Sequence, residues 1–362
     1  MTGAVHAWLA TSSGDCASSG FTFMCEFLKQ SGGRPEFMST SGCSGASPTG
    51  TVHAVFVMTG RDWVLLLFCA LCWGSAYTFN RVIVAELPSL TITAARLVVA
   101  ASFLTLLATL QGVRLPPFGR QWQAFFVFTL FSNVVPFLFV LRGQRETASG
   151  LAAVIGATTP LFVILLAHVF TTDERMQGRK VAGVIVGMSG VAVVVGTDAL
   201  SGWSSGLAAK LSLVFAALLY AIGAVYSKRI VGLPPIAMAA MQMICGLVIT
   251  FPLAILIDQP WSLPPPSTKV VLAVIGTAII GSSLSAIAYF HILKRAGATN
   301  AMLVTLLVPI TPILLGGVLF GERLLAREVI GATIIGAALL LIDGRPLRWI
   351  MQRMRRKMPG DR

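Results

Sequence analysis

ATTPLFVILLAHVFTTDER (157–175) and LLVPITPILLGGVLFGER (306–323) carry the same punctuation 148 or 149 residues apart. Pro160 and Pro309 each interrupt an apolar run. Each run ends in a charged turn, Asp173-Glu174-Arg175 in one case and Glu322-Arg323 in the other. A smaller echo lies upstream, where Arg81-Val82-Ile83 closes one apolar segment and Arg229-Ile230-Val231 closes another. Self-similarity at a fixed spacing marks a duplicated chain. Each copy holds five apolar stretches, an odd number, so the second copy sits upside down relative to the first. Inverted repeats are an architecture of alternating-access transport.

Composition agrees with a bilayer as solvent. The 362 residues are 56% apolar and only 11% charged, less than half the share of about 25% that soluble domains carry. Roughly 20 apolar residues span the hydrocarbon core. The candidate spans are residues 63–80, 87–110, 122–141, 147–172, 181–197, 211–227, 230–257, 270–293, 296–321 and 329–342. The last is short, but its repeat partner 181–197 is short too, and Leu324 and Leu325 extend it. The expected fold is an all-α integral membrane protein with ten transmembrane helices in two inverted five-helix repeats. Lys and Arg on alternate sides of these spans number 17 and 7, the larger count including seven in the tail. Positive residues stay inside, which predicts that both termini are cytoplasmic.

The chain divides into an extension (1–57), a first repeat (61–198), a second repeat (206–343) and a basic tail (344–362). The extension is rich in Gly, Ser and Thr and lacks the basic and apolar regions of a signal peptide. Met58 leads straight into the first span, so the expected natural start is Met58, with the extension a disordered or mis-assigned segment. In the tail, Arg345 to Arg356 alternate with Leu347, Trp349, Ile350 and Met354, a pattern that suits the inner leaflet. The net charge of +13 is spread over short loops and this tail, which points to anionic lipid headgroups rather than nucleic acid. The six cysteines form no metal pattern. Cys69 and Cys72 lie within an apolar helix, where cysteine behaves as a small hydrophobe.

Cys72-Trp73-Gly74-Ser75-Ala76-Tyr77, with Ala94-Ala95-Arg96 in the second span, resembles the start of the EamA-type transporters of the drug/metabolite transporter superfamily. So does 289–323, with Gly297-Ala298-Thr299-Asn300-Ala301, Pro309 and Leu319-Phe320-Gly321-Glu322-Arg323. The resemblance covers nearly everything from Met58 to Ile342. It implies ten helices in two inverted halves, termini inside, and movement of small metabolites. The first copy departs from the family's Leu-Gly-Glu turn, reading Thr171-Thr172-Asp173-Glu174-Arg175.

No Asp or Glu falls near the middle of a span, whereas a proton-coupled multidrug antiporter needs a carboxylate at membrane depth. His168 is the alternative coupling group, and an uncoupled carrier needs none. Arg96 is the one permanent charge deep in a span. It either meets an anionic substrate group or a gate partner, or it snorkels or caps carbonyls of a neighbouring helix. The matching position in the second copy is Gln242. Pro160, Pro309 and Pro312 each free a carbonyl four residues earlier, and interrupted segments at corresponding places point to a midplane site. Thr158 and Thr305 stand at those breaks. Around that axis are placed Trp73, Tyr77 and Asn80 on one face of the first span and Asn133 on the third. Tyr220 and Tyr226 follow on the sixth, and Ser282, Ser285 and Tyr289 on one face of the eighth. Aromatic faces with a few hydroxyls and amides suit amino acids or other small amphipathic metabolites.

The small-residue pairs Gly183/Gly187 and Gly317/Gly321 either bring helices of one chain together or join two chains as a homodimer. No cofactor and no metal site is expected, and no enzymatic activity. An intramembrane hydrolase would use Ser283 with His291, but eight residues of helix separate them by about 12 Å, and with His168 from another helix as the base instead, no third orienting group is evident. A channel would need a filter-like loop, and none is evident. The expectation is a multi-pass transporter of the bacterial inner membrane, exporting small metabolites by alternating access.

Overall fold

The computed structural model describes residues 60–170, 178–195, 205–230, 232–301 and 303–343. The extension, the tail, the Asp173-Glu174-Arg175 turn and Ser201 to Ser204 lie outside the described residues. The described chain is helical nearly throughout: α1 (Gly60–Ile83), α2 (Ser89–Leu110), α3 (Arg120–Gln144), α4 (Ser149–Gly156), α5 (Thr159–Phe170) and α6 (Gly178–Val195). Then come α7 (Ser205–Tyr226), α8 (Pro235–Asp258), α9 from Thr268 to Ala301, α10 (Val304–Leu307), α11 (Ile310–Phe320) and α12 (Ala326–Asp343).

Seven helical stretches are long and apolar enough to cross a membrane: α1, α2, α3, α4 run together with α5, α7, α8 and α9. Val181–Val195 and Val304–Phe320 are shorter apolar helices. α12 is flanked by charge, with Arg327 and Glu328 in its first turn and Asp343 at its end. Val64, Leu71, Leu272 and Val318 are exposed. Such outward apolar faces are what lipid covers, so burial of apolar surface does not itself hold the helices together.

Close backbone approach does. α6 lies along α12, α2 along α8, and the second half of α3 along α7, while α9 lies along α1. At Gly190 a Cβ would come within 3.1 Å of the Gly331 carbonyl, and at Gly331 within 2.9 Å of the Gly190 carbonyl. Gly183 faces Ile342 and Gly187 faces Leu161. The first small-residue pair therefore packs within one chain. The second pair differs from expectation. Gly317 has only the Glu322 carbonyl nearby, at 3.7 Å, and Gly321 ends α11 at φ +65°, a conformation glycine adopts without strain. The glycine that is tightly packed there is Gly316, against Ser149 and Glu322.

Candidate functional site

Two helices lose the α-helical period at corresponding places. α3 becomes π-helical over Leu130–Val134, and α9 over Thr277–Leu284, starting 147 residues later. A π segment widens the turn and re-aims the side chains that follow, which is why such segments gather at functional sites. Pro136, which cannot donate a backbone hydrogen bond, stands just after the first one. Ser132 and Asn133 from the first segment, and Thr277, Gly281 and Ser282 from the second, line an internal cavity of about 180 Å³. That is more than ten times the space one water needs.

Arg96 on α2 reaches between the two π segments. One guanidinium nitrogen donates to Ser282 Oγ at 2.9 Å and the other to Asn133 Oδ1, while its carbon stands 3.8 Å from the centre of the Phe137 ring. The residue is 5% exposed, and its Nε has no hydrogen-bond partner. Arg96 thus neither snorkels to a helix end nor caps carbonyls. Its second-half counterpart, Gln242 on α8, donates to Ser132 Oγ at 3.1 Å and also lines the cavity.

The wall opposite comes from α1. Trp73, Tyr77 and Asn80 stand on one helical face, and all three line the cavity. Trp73 meets Tyr289 of α9 with ring centroids 5.3 Å apart. Asn80 donates to Gln144 Oε1 at 3.1 Å, and Gln144 donates back to the Tyr77 carbonyl at 2.8 Å, which fixes α1 against the end of α3. A Cβ on Gly156 would lie 2.7 Å from the Tyr77 hydroxyl, so the last turn of α4 must be bare for the phenol to fit. Gly74 likewise lets α1 approach the Val308 carbonyl, where a Cβ would stand 2.7 Å away.

Of the residues anticipated from sequence, Trp73, Tyr77, Asn80, Arg96, Asn133, Tyr220, Ser282, Tyr289 and Thr305 line this cavity. Thr158 and Ser285 do not, and Tyr226 packs in the core beside Arg229. Ser285 follows the π segment, whose wider turns rotate it off the face shared by Ser282 and Tyr289. Its hydroxyl donates to the Gly281 carbonyl at 2.6 Å, and its own carbonyl lies 3.5 Å from Cys69 Sγ. Thr158 lies in the turn between α4 and α5, fully buried, with its hydroxyl on the Ile155 carbonyl. Thr159 takes its place in the lining, and its hydroxyl donates at 2.7 Å to the Gly156 carbonyl that Pro160 leaves without a backbone donor. Pro309 stands as the N-cap of α11, with Pro312 in its first turn. Ser132, Phe128, Phe137, Gln242 and Thr277 complete the polar and aromatic lining. Gln242 is legible in the sequence as the repeat counterpart of Arg96, whereas the others require knowing where the helical period breaks.

Among the described residues, Arg96 is the one charged side chain lining the cavity, and no group of three or more His, Cys, Asp or Glu gathers to hold a metal. Ser283 donates to the Ala278 carbonyl and His291 Nδ1 lies 2.8 Å from the Ile287 carbonyl, so each is engaged within its own helix. His168 is exposed.

At the end of the bundle where α1 finishes, three carboxylates tie the first half to the second. Glu322 accepts from the Ser149 amide at 3.0 Å and its hydroxyl at 2.6 Å, and faces Arg81 at 3.4 Å. Glu86 accepts from the amide and hydroxyl of Ser267, the N-cap of α9, at 2.8 and 2.7 Å. The Ser267 hydroxyl and then its amide hold the Glu86 carboxyl below its ordinary range. Asp258 accepts from the Thr91 amide at 2.7 Å and so caps the first turn of α2. At the opposite end Arg295 pairs with Asp62 at 3.4 Å.

The model of the EamA-like transporter family matches the chain twice, over residues 62–196 and 207–343. The uncharacterized inner membrane transporter YedA of Escherichia coli K12 is 28% identical over 273 residues, 75% of this chain and 86% of that one. Protein PagO of Salmonella typhimurium LT2 is 26% identical over 77% of this chain and 92% of its own length. A WAT1-related chloroplastic protein of Arabidopsis thaliana, At3g02690, is 25% identical over 79% of this chain and 70% of its own length. One crystal structure superimposes with a TM-score of 0.59 at 18% identity, covering 79% of this chain and 98% of the other, a likeness of fold.

Proposed function

The chain belongs to the EamA-like transporter family, and from that premise we propose that it is a secondary transporter that exports small amphipathic metabolites, amino acids among them, by alternating access. Helices with inner-membrane transporters as relatives make it a multi-pass inner membrane protein, and point to transport rather than enzymatic chemistry. The observation that carries the finer reading is the cavity itself, whose lining alternates between the halves: Tyr77, Arg96 and Asn133 from the first, Tyr220, Gln242 and Ser282 from the second. A site shared by two bodies changes its exposure when they rock against each other.

Ten helices in two inverted sets of five fit the packing. With α4 and α5 counted as one span and α10 and α11 as another, exchanging the halves carries each principal contact into another observed one. The pairs α2 with α8 and α6 with α12 map onto themselves, and α3 with α7 maps onto α9 with α1. The excess of Lys and Arg on the side of the termini supports a cytoplasmic location for both ends, and with them for the Asp62–Arg295 end of the bundle. The carboxylate-tied end is then the outer one.

Counterflow in proteoliposomes tests the carrier. Vesicles preloaded with an unlabelled solute from a metabolite panel will accumulate the same labelled solute transiently above equilibrium, and everted membrane vesicles will show the exporting direction. Equilibration without overshoot for every solute that permeates would mean a channel, and solute breakdown without flux an enzyme.

A further inference from the structure

Arg96 lines the cavity with only part of its donor set engaged, and we infer that the cavity beside it receives the carboxylate of a small substrate that is anionic overall. The inference rests on the carrier reading and narrows its substrate class. A guanidinium deep in a membrane span is costly and is ordinarily paired. Here the partners are dipoles and a ring: Asn133 Oδ1, Ser282 Oγ and the face of Phe137. They orient the group without neutralising it. Two of its five N–H donors are used by those side chains, and Nε is buried with no hydrogen bond. The planar fork that remains matches a carboxylate.

Other features of the same cavity choose the ligand's net charge. Two further lining residues have a buried polar atom without a hydrogen-bond partner: Thr277 Oγ1, on the π segment that also presents Ser282, and Asn80 Oδ1 on α1. No Asp or Glu lines the cavity among the described residues. The ammonium of a zwitterion would therefore enter a space whose one fixed charge is positive, with no carboxylate to receive it. In a site of low dielectric that repulsion is far larger than in water. Trp73 and Tyr289 supply apolar surface for the rest of the molecule. The cavity thus favours a monocarboxylate with an apolar or aromatic body over an amino acid of the same shape.

Four probes with one body and different charge test this: 3-phenylpropionate, phenylalanine, 3-phenylpropionamide and phenethylamine. Each is titrated against purified full-length protein while thermal unfolding is followed. 3-Phenylpropionate should raise the Tm most, and Arg96→Gln should weaken its apparent affinity roughly 10- to 100-fold, the loss of a hydrogen-bonded charge. Arg96→Lys, which keeps the charge and loses the fork, should retain part of that affinity and the same order of probes. A purely structural link between the π segments would change the Tm without ligand and leave the order untouched. The inference is overturned if the zwitterion, amide or amine stabilises as well as the anion, if Arg96→Gln binds the anion as tightly as wild type, or if none of the four shifts the wild-type protein. Should Arg96→Gln aggregate, the order of the probes on wild type and on Arg96→Lys decides. Counterflow of a zwitterion at a rate indifferent to Arg96 would sink this inference and leave the carrier standing, whereas absence of counterflow for any solute sinks the carrier itself.

Discussion

Ser282 and Ser285 are three residues apart on one helix and have opposite surroundings. Ser282 accepts from Arg96 and lines the cavity, while Ser285 is spent on its own helix at the Gly281 carbonyl. Ser282→Ala should therefore lower transport several-fold through KM, because Arg96 loses one of the two hydrogen bonds that aim it. Ser285→Ala should leave KM unchanged and shift unfolding by about 1 kcal/mol or less. Initial rates in proteoliposomes for the two variants check this, and equal effects on KM would contradict it. At this scale much of the site was legible. A permanent charge within an apolar span, and Trp73, Tyr77 and Asn80 at spacings of four and three, stand out against their neighbours. The partners of Arg96 were not legible, since they come from α3 and α9 and depend on a local twist that a period of 3.6 does not describe.

The elements that create that twist are the π segments of α3 and α9 and the broken pairs α4–α5 and α10–α11. Prolines announced the broken pairs, because a missing N–H has a fixed consequence for the carbonyl four residues back. Nothing comparable announces Thr277–Leu284, whose sequence TAIIGSSL contains no proline and is apolar enough for an ordinary helix. Deleting Ile280, which is exposed on the lipid side of that segment, should return α9 to the α-helical register, rotate Ser282 away from Arg96 and abolish transport while the protein still inserts. Normal transport by the deletion variant would show that the π segment is dispensable. Between α6 and α12 the limit is steric. Gly190→Leu should separate the two helices and destabilise the protein by about 1 to 3 kcal/mol, measured as a lowered Tm in detergent, and an unchanged Tm would deny that contact its role.

For the whole molecule, repetition carried most of the information. The paired prolines and charged turns, the apolar segments and the alternation of Lys and Arg set out the order of the helices without reference to any contact. What they did not convey is how the halves meet at the end of the bundle, because Glu86, Asp258 and Glu322 find their partners roughly 170 to 180 residues away and short loops of common polar residues carry no period. Glu86 is held as a carboxylate: its folded pKa lies below the unfolded value, so its contribution is present above the unfolded pKa and is lost as pH falls through the folded one. Transport that varies around neutral pH therefore has another source. These ties must break and reform if the two halves rock about the cavity. In a cysteine-free background, Glu86→Cys with Ser267→Cys, joined by a short bifunctional thiol reagent that reduction cleaves, holds that end shut. Counterflow should stop on cross-linking and return on reduction, and counterflow continuing at the uncross-linked rate would contradict rocking of the two halves.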